Sequence, residues 1–380
     1  MAAPRPYGVY VHFPWCTFRC PYCDFAVTTA RPVPGARYAR AVLRELAARA
    51  PVFEGLACRT LYLGGGTPSL WEPEHLAAVV AAVRRLGLPS GAEVTLEANP
   101  ESVDRERLLA WQAAGVNRLS LGVQSFDGEV LRQLGRRHSP EQAERALRLS
   151  ASALENVSVD LIYGARRSSA ASARLDARRA AALGAVHVSA YALTLDPEVL
   201  AEDVPLGRAV RSGRLRLPPE EEVLAQAAAV RAELARAGLR RYEVSNFARP
   251  GFASAHNRLY WEGESYLGVG AGAFGCLHRG EAAVRWGNHR QVDRWFAEVE
   301  AGRLPTADED RLGPREVRNE RVMLALRTAR GIASAELGAP QRREVERLRR
   351  AGLASAGRGR VRLTARGLDL HSDVAGRLFE

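Results

Sequence analysis

Six short runs rich in β-branched and aromatic residues, each followed by a stretch with helical periodicity, constrain this chain more than any other feature. The runs are Tyr7 to Phe13, Thr60 to Gly64, Glu93 to Glu97, Arg118 to Val123, Val157 to Tyr163 and Val186 to Leu193. Between them, Tyr38 to Ala48, Pro73 to Leu86, Ser102 to Ala114 and Pro140 to Leu154 carry apolar residues at the spacing of one helix face. Strands alternating with helices predict an α/β domain built on a parallel sheet with right-handed crossovers. Such folds place their chemistry at the C-terminal ends of the strands.

Composition narrows the class. With 380 residues, 47% hydrophobic and 26% charged, the chain can bury cores for two to three domains and is neither disordered nor disulfide-stapled. No run of about 18 apolar residues occurs, and Met1 to Tyr10 lacks the apolar stretch of a signal peptide. A cytoplasmic protein without a transmembrane segment is expected, with peripheral membrane association left open. The net charge of +11 rests entirely on arginine; its scatter through alanine-rich helices reads as composition bias, which disfavours a nucleic-acid partner.

Three of the five cysteines, Cys16, Cys20 and Cys23, directly follow the first predicted strand, whereas Cys58 and Cys276 stand alone. An odd cluster is a poor disulfide framework, and structural zinc wants four closed ligands. Three thiolates in a C-x-x-x-C-x-x-C loop can instead hold three irons of a 4Fe-4S cluster and leave the fourth open to a small molecule. Polar groups recur at the later strand ends: Gly64-Gly65-Gly66-Thr67, Glu97 with Asn99 behind it, Gln124-Ser125 and Asp160. Singly, each reads as a solvated loop residue or a helix cap. Together they outline a grip for a compact, adenosine-like ligand. His12 reads equally as a polar neighbour of the cysteines or a packed strand residue.

These residues, with Arg136, resemble the radical S-adenosylmethionine superfamily, specifically its coproporphyrinogen oxidase-like group. Tyr10-Val11-His12-Phe13-Pro14-Trp15-Cys16, Gly122-Val123-Gln124-Ser125-Phe126, Leu134-Gly135-Arg136, Asp160-Leu161-Ile162-Tyr163-Gly164 and Tyr242-Glu243-Val244-Ser245-Asn246-Phe247 follow that group's order. The resemblance implies a partial (β/α)6 radical SAM barrel over 1–240, a barrel extension over 241–305 and a smaller α+β winged-helix-like domain over 306–380. It implies that Cys16, Cys20 and Cys23 bind a 4Fe-4S cluster whose open iron is completed by S-adenosylmethionine. Tyr22 would then flank the adenine, and Gly65, Gly66 and Thr67 would meet the methionine end. Glu97, Gln124, Arg136 and Asp160 would hold the remaining polar groups, with Tyr10 beside the cluster and Ala192 near the nucleoside. An electron donor would reduce the cluster to cleave the sulfonium to a 5'-deoxyadenosyl radical. No further catalytic residue is assigned, and enzymatic turnover is left open.

Two features point to a subgroup. The coproporphyrinogen dehydrogenase branch has a fourth cysteine one residue after the third, where this chain reads Cys23-Asp24-Phe25. That reading and His256-Asn257-Arg258-Leu259-Tyr260-Trp261 resemble the HemW-type heme chaperones. The resemblance implies that His256, Asn257, Tyr260 and Trp261 bind heme and that an acceptor protein receives it. Histidine is an ordinary axial ligand, and the tyrosine and tryptophan rings offer flat apolar area; taken alone, the segment is a surface helix start. Arg241, Arg249 and Arg258 are candidate partners for propionates.

Three departures from the group's pattern stand out: Ala165-Arg166-Arg167-Ser168, Asp196, and Ala271-Gly272-Ala273-Phe274-Gly275, which lacks a proline and a histidine often found there. The C-terminal helices Arg315 to Thr328 and Gln341 to Arg350, with a strand at Arg360 to Thr364, suggest a cap over the barrel mouth or a partner surface. The alternatives are an oxygen-independent coproporphyrinogen III oxidase and an RNA-modifying radical enzyme, the latter without a visible RNA-binding motif.

Overall fold

The structure is a computed structural model and describes residues 4–195 and 203–379. The six expected strands form β1 (Pro6–Phe13), β2 (Ala57–Gly65), β3 (Glu93–Ala98), β4 (Arg118–Gln124), β5 (Asn156–Tyr163) and β6 (His187–Ala192). They pair in parallel and in sequence order. The expected helices lie between them as Gly35–Arg49, Pro73–Arg85, Arg105–Ala113 and Pro140–Ala153. This is the partial (β/α)6 barrel. Val9, Val11, Leu61, Leu63, Leu96, Leu119, Leu121, Val157 and Val159 alternate along these strands and are fully buried in the main core. The intervening positions Tyr62, Glu97, Arg118, Ser120, Asp160 and Ser189 line a cavity instead. Period-two alternation thus separates a dry outer face from a polar interior.

The sheet continues at both edges with β7 (Arg240–Arg241), β8 (Asn246–Ala248), β9 (Ser265–Val269), β10 (Phe274–Arg279), β11 (Ala282–Asn288) and β12 (Thr306–Leu312). Among the described residues its order is β12-β11-β10-β9-β1-β2-β3-β4-β5-β6-β8-β7. β9 lies parallel to β1, whereas β10, β11 and β12 form an antiparallel meander. A buried latch ties this flank to the barrel. Glu45 accepts from Trp295 Nε1 at 2.9 Å, Asn288 Nδ2 at 2.7 Å, Arg49 Nε at 2.9 Å and the Gly270 amide at 2.8 Å.

The expected boundary between 305 and 306 is corrected by β12. Its charged sequence pairs with β11 as an edge of the large sheet, where pairing with Trp286 and its neighbours overrides weak strand propensity. The second core begins with the helix Pro314–Leu326 and runs to Leu378. Around it lie β13 (Ile332–Ala333), β14 (Ala354–Gly357) and β15 (Arg360–Leu363), in the order β13-β15-β14, with the helix Ala339–Arg350. This C-terminal unit docks through Arg327–Glu243 at 2.6 Å and through Arg231 and Arg241, each 2.8 Å from Asp369. It sits against the Tyr242–Ser245 turn, and none of its described residues lines the cavities described below, so among the described residues the expected cap over the barrel mouth is not seen. No described helix is long and apolar enough to cross a membrane.

Candidate cofactor cavity and adjoining bay

The cysteine loop leaves β1 at the C-terminal rim and is closed on itself by backbone bonds from Cys16 to Thr28 (2.9 Å) and from Thr28 to Pro14 (2.8 Å). All three cysteines line a cavity of 480 Å³ together with Tyr22, Gly65, Gly66, Thr67, Glu97, Gln124, Arg136, Asp160 and Ala192. Every residue expected at the cofactor except Tyr10 therefore converges on one space. Gly66 donates to the Phe13 carbonyl at 2.7 Å, and a Cβ there would lie 2.7 Å from the Trp15 carbonyl oxygen. Gly65 has φ +108°, and a Cβ would strike the His12 ring at 2.5 Å; only glycine brings this strand end so close to the cysteine loop.

A chain of polar contacts crosses the mouth. Thr67 Oγ1 donates to Cys16 Sγ at 3.5 Å and accepts from Asn99 Nδ2 at 3.2 Å. Arg136 donates to Asn99 Oδ1 at 2.5 Å, to the Gly122 carbonyl at 2.9 Å and to Cys20 Sγ at 3.4 Å. Its Nε is buried and has no hydrogen-bond partner among the described residues. Gln124 follows a register shift in β4 and has φ +68°, a left-handed conformation uncommon for a non-glycine residue. Tyr22, Ile162 and Leu193 pack against the buried cluster of Val130, Leu134 and Ala165, forming an apolar wall.

Glu97 accepts from Tyr62 OH at 2.7 Å and from the Gly65 amide at 3.0 Å. Burial, followed by the nearby Asp160 carboxyl, pushes Glu97 up to about 7 against its hydrogen bonds. Burial also raises Asp160, although Ser189 and Ser120 stabilise its ionised form. Among the described residues no three His, Cys, Asp or Glu side chains are close enough to hold a single metal ion. The loop instead offers three sulfurs spread around a cavity with cationic and hydroxyl neighbours. That donor set fits a multi-iron cluster.

The His256 segment lies under the cavity rather than on the surface. The helix Ala255–Trp261 begins where Glu93 accepts from the Ala255 and His256 amides, each at 2.9 Å, an acidic cap on a helix N-terminus. His256 is buried among Gly8, Thr60 and Tyr62. Its Nδ1 bonds Thr60 Oγ1 and its Nε2 bonds Tyr260 OH, both at 2.8 Å. Burial, reinforced by Arg118, lowers it to about 3, so it is neutral with both ring nitrogens engaged. Asn257 reaches the cavity. Trp261 stacks under the Arg327 guanidinium, 4.3 Å from the ring centre.

Tyr260 faces a second space, a bay of 370 Å³ shared with Tyr10, His12, Tyr266, Phe274 and Arg290. Asp24 and Phe25 line both spaces and divide them. Tyr10, expected beside the cluster, thus faces the bay. His12 is buried on its strand and its ring also meets the cysteine loop: its Nε2 bonds the Ala26 carbonyl at 2.8 Å and its Nδ1 meets Tyr10 OH at 3.1 Å.

Comparison with known proteins gives the family. The radical SAM superfamily model matches residues 10–170. Heme chaperone HemW of Mycobacterium tuberculosis is 38% identical over 96% of this chain and 92% of its own length. The chain belongs to the HemW family. Heme chaperone HemW of Escherichia coli is 37% identical over 71% of this chain and 70% of its own length. The solved coproporphyrinogen III oxidase HemN of Escherichia coli superimposes with a TM-score of 0.81 over 100% of this chain and 91% of that one; at 22% identity this likeness shows the fold. As in the radical SAM superfamily at large, the cysteine tripod implies a 4Fe-4S cluster and S-adenosylmethionine.

Within this HemW-family cavity, sequence reasoning missed Asn99 as the link between Thr67 and Arg136, and it missed Tyr62, Arg118 and Tyr191 as lining residues. Alternation was the available signal, since each lies an even number of positions from a polar site residue on its own or an equivalent strand. Of the departures, Ala165 packs beneath Tyr22, while Ser168 bonds Gln226 Oε1 at 2.8 Å. Asp196 lies outside the described residues.

Proposed function

We propose that this chain is a cytoplasmic heme chaperone that binds heme and passes it to an acceptor protein, with a 4Fe-4S cluster and S-adenosylmethionine in the barrel cavity. The observation that carries the reading is the 38% identity to a heme chaperone HemW over nearly the full length of both chains. Cys16, Cys20 and Cys23 hold the iron. When bound, and reduced by an external electron donor, the cluster and its ligand supply one-electron chemistry.

The chain's own residues do the holding. Thr67 and Arg136 donate to the Cys16 and Cys20 sulfurs, which fixes where two of the three sulfurs stand. Gly65 and Gly66 keep the strand end bare beside the methionine end, and Gln124 presents its amide from a bulged strand. Glu97 and Asp160 would accept from the ligand's polar hydrogens, and Tyr22, Ile162 and Ala192 would supply the apolar lining for its adenine. The His256 segment joins the two spaces, with Asn257 beneath the cofactor and Tyr260 in the bay. His256 reaches heme iron only after releasing Thr60 and Tyr260; in the described conformation it and Trp261 support the segment from behind.

Anaerobically reconstituted protein titrated with heme, and assayed in parallel for coproporphyrinogen III decarboxylation, tests the reading. Saturable, near-stoichiometric Soret growth without decarboxylation is expected. Absence of heme binding together with decarboxylation would assign the chain to oxidase chemistry.

A further inference from the structure

We infer that heme enters the bay beside the cysteine loop as a flat plate held by rings and one arginine, not by histidine ligation. This inference rests on the heme-chaperone reading and locates the cargo within it. Phe25 is 62% exposed and Phe274 is 53% exposed, among the few large apolar side chains left to solvent. Both line the same bay from different elements, one on the cysteine loop and the other at the start of β10. Exposed aromatic rings flanking a concavity mark a binding surface rather than a folding requirement.

The back of the bay is also aromatic. Tyr260 and Tyr266 meet edge to face with centroids 4.7 Å apart, beside Tyr10. The Tyr10 and Tyr260 hydroxyls are satisfied by His12 and His256, so these residues present ring area with little polar demand. A porphyrin needs that chemistry: a broad apolar face and a carboxylate-bearing edge. Arg290 supplies the complement at the rim. Its Nη2 is anchored on the Asp24 carbonyl at 2.6 Å, and its side chain is 53% exposed, leaving further donors toward solvent for a propionate. Asp24 is the acidic group facing it, 3.9 Å from Nη2.

The bay offers iron no free nitrogen. His12 is its only lining histidine among the described residues, and both of its ring nitrogens are bonded. Phe274 stands in the stretch that departs from the group's proline and histidine pattern. Its ring lies across Gly287, where an added Cβ would come within 2.8 Å of it, so the backbone of β11 is shaped around this phenylalanine. The plate should therefore be recognised by its plane and its propionate, with or without metal.

The test uses full-length, cluster-loaded protein, the Soret band as readout and iron content per chain as a check on folding. Phe274→Glu and Arg290→Ala should each weaken heme binding about tenfold or more, and iron-free protoporphyrin IX should compete with heme. Phe274→His places an imidazole at the bay wall, so its heme complex should show a shifted Soret maximum from new axial ligation. That signature requires heme at this position and reports from any folded fraction. Heme binding in the parent protein with unchanged affinity in Phe274→Glu and Arg290→Ala, and an unshifted band in Phe274→His, would overturn the bay and leave the chaperone reading standing. A parent protein that binds no heme would remove both.

Discussion

The cavity and the bay share Asp24 and Phe25 as a common wall, yet they are organised by opposite means. In the cavity, Cys16, Thr67, Asn99, Arg136 and Cys20 form an unbroken polar chain. Its strand ends are fixed by glycines and by a strained Gln124. In the bay the hydroxyls of Tyr10 and Tyr260 are already bonded, and mainly ring faces remain. Prepaid hydrogen bonding selects a ligand by the placement of its polar atoms. Apolar ring area selects by shape and tolerates exchange. A cofactor that must stay and a cargo that must leave call for those two kinds of surface.

The largest effect tests whether the two spaces are separable. Replacing Cys20 with alanine should reduce bound iron and sulfide to background, because three thiolates are the minimum that the loop supplies. Heme affinity should then change less than about threefold, well under 1.4 kcal/mol. A collapse of heme binding in the same variant would mean that the cluster organises the bay, and the comparison above would fail.

His256→Ala should come next, through folding rather than ligation. It leaves the buried Thr60 and Tyr260 hydroxyls without partners and opens a cavity beneath β1 and β2. A loss of about 2–4 kcal/mol is expected, read by denaturant unfolding. Phe274→Ala, at an exposed ring, should cost under about 1 kcal/mol. If His256→Ala unfolds no more easily than Phe274→Ala, the buried histidine is not holding the segment.

Arg136→Ala should weaken S-adenosylmethionine binding by about 2 kcal/mol, or roughly 30-fold, since Asn99 and the Gly122 carbonyl lose their donor. Equilibrium binding to reconstituted protein measures this. The bay should not register it, and an equal loss of heme affinity would show that the polar chain extends across Asp24 and Phe25.

How far these two regions were readable in the sequence follows from the same contrast. The cavity was legible because its residues sit at the ends of six strands with strong apolar alternation, and that topology brings successive strand ends to one rim. Asn99 was visible as a polar group behind Glu97, but its linking role escaped because it stands just beyond a strand end, where helix caps are common, and only the fold puts it between Thr67 and Arg136. The bay was illegible. It depends on β9, which pairs with β1, on β10 and β11, which pair outward from it, and on the buried Glu45 latch. Neither leaves a local pattern. β12, with Asp308, Glu309, Asp310 and Arg311 in seven residues, is a strand because it pairs with the edge that β11 offers. His256 shows the limit most sharply: as a residue type it suggests a ligand, while its burial and its two bonds are properties of packing.

The smallest expected effect is a pH dependence confined to the cavity. Glu97, ordinarily near 4.5, is raised by burial to about 7, so the folded chain holds its proton more tightly than the unfolded chain does. In ligand-free protein its contribution to stability is therefore full below the ordinary carboxylate range and is lost as pH rises through about 7. Binding runs the other way. A sulfonium cation favours the ionised carboxylate, so S-adenosylmethionine affinity should rise between pH 6 and pH 8, by up to about tenfold if Glu97 alone titrates. Glu97→Gln removes that titration while keeping an acceptor for Tyr62, and the ratio of parent to variant affinity isolates the carboxyl from the ligand's own amine. Heme uptake in the bay should keep the same profile in parent and variant. A flat ratio across this range would place Glu97 outside the cofactor's charge balance, leaving the hydrogen bonds of Thr67, Asn99 and Arg136 to define the cavity's selectivity.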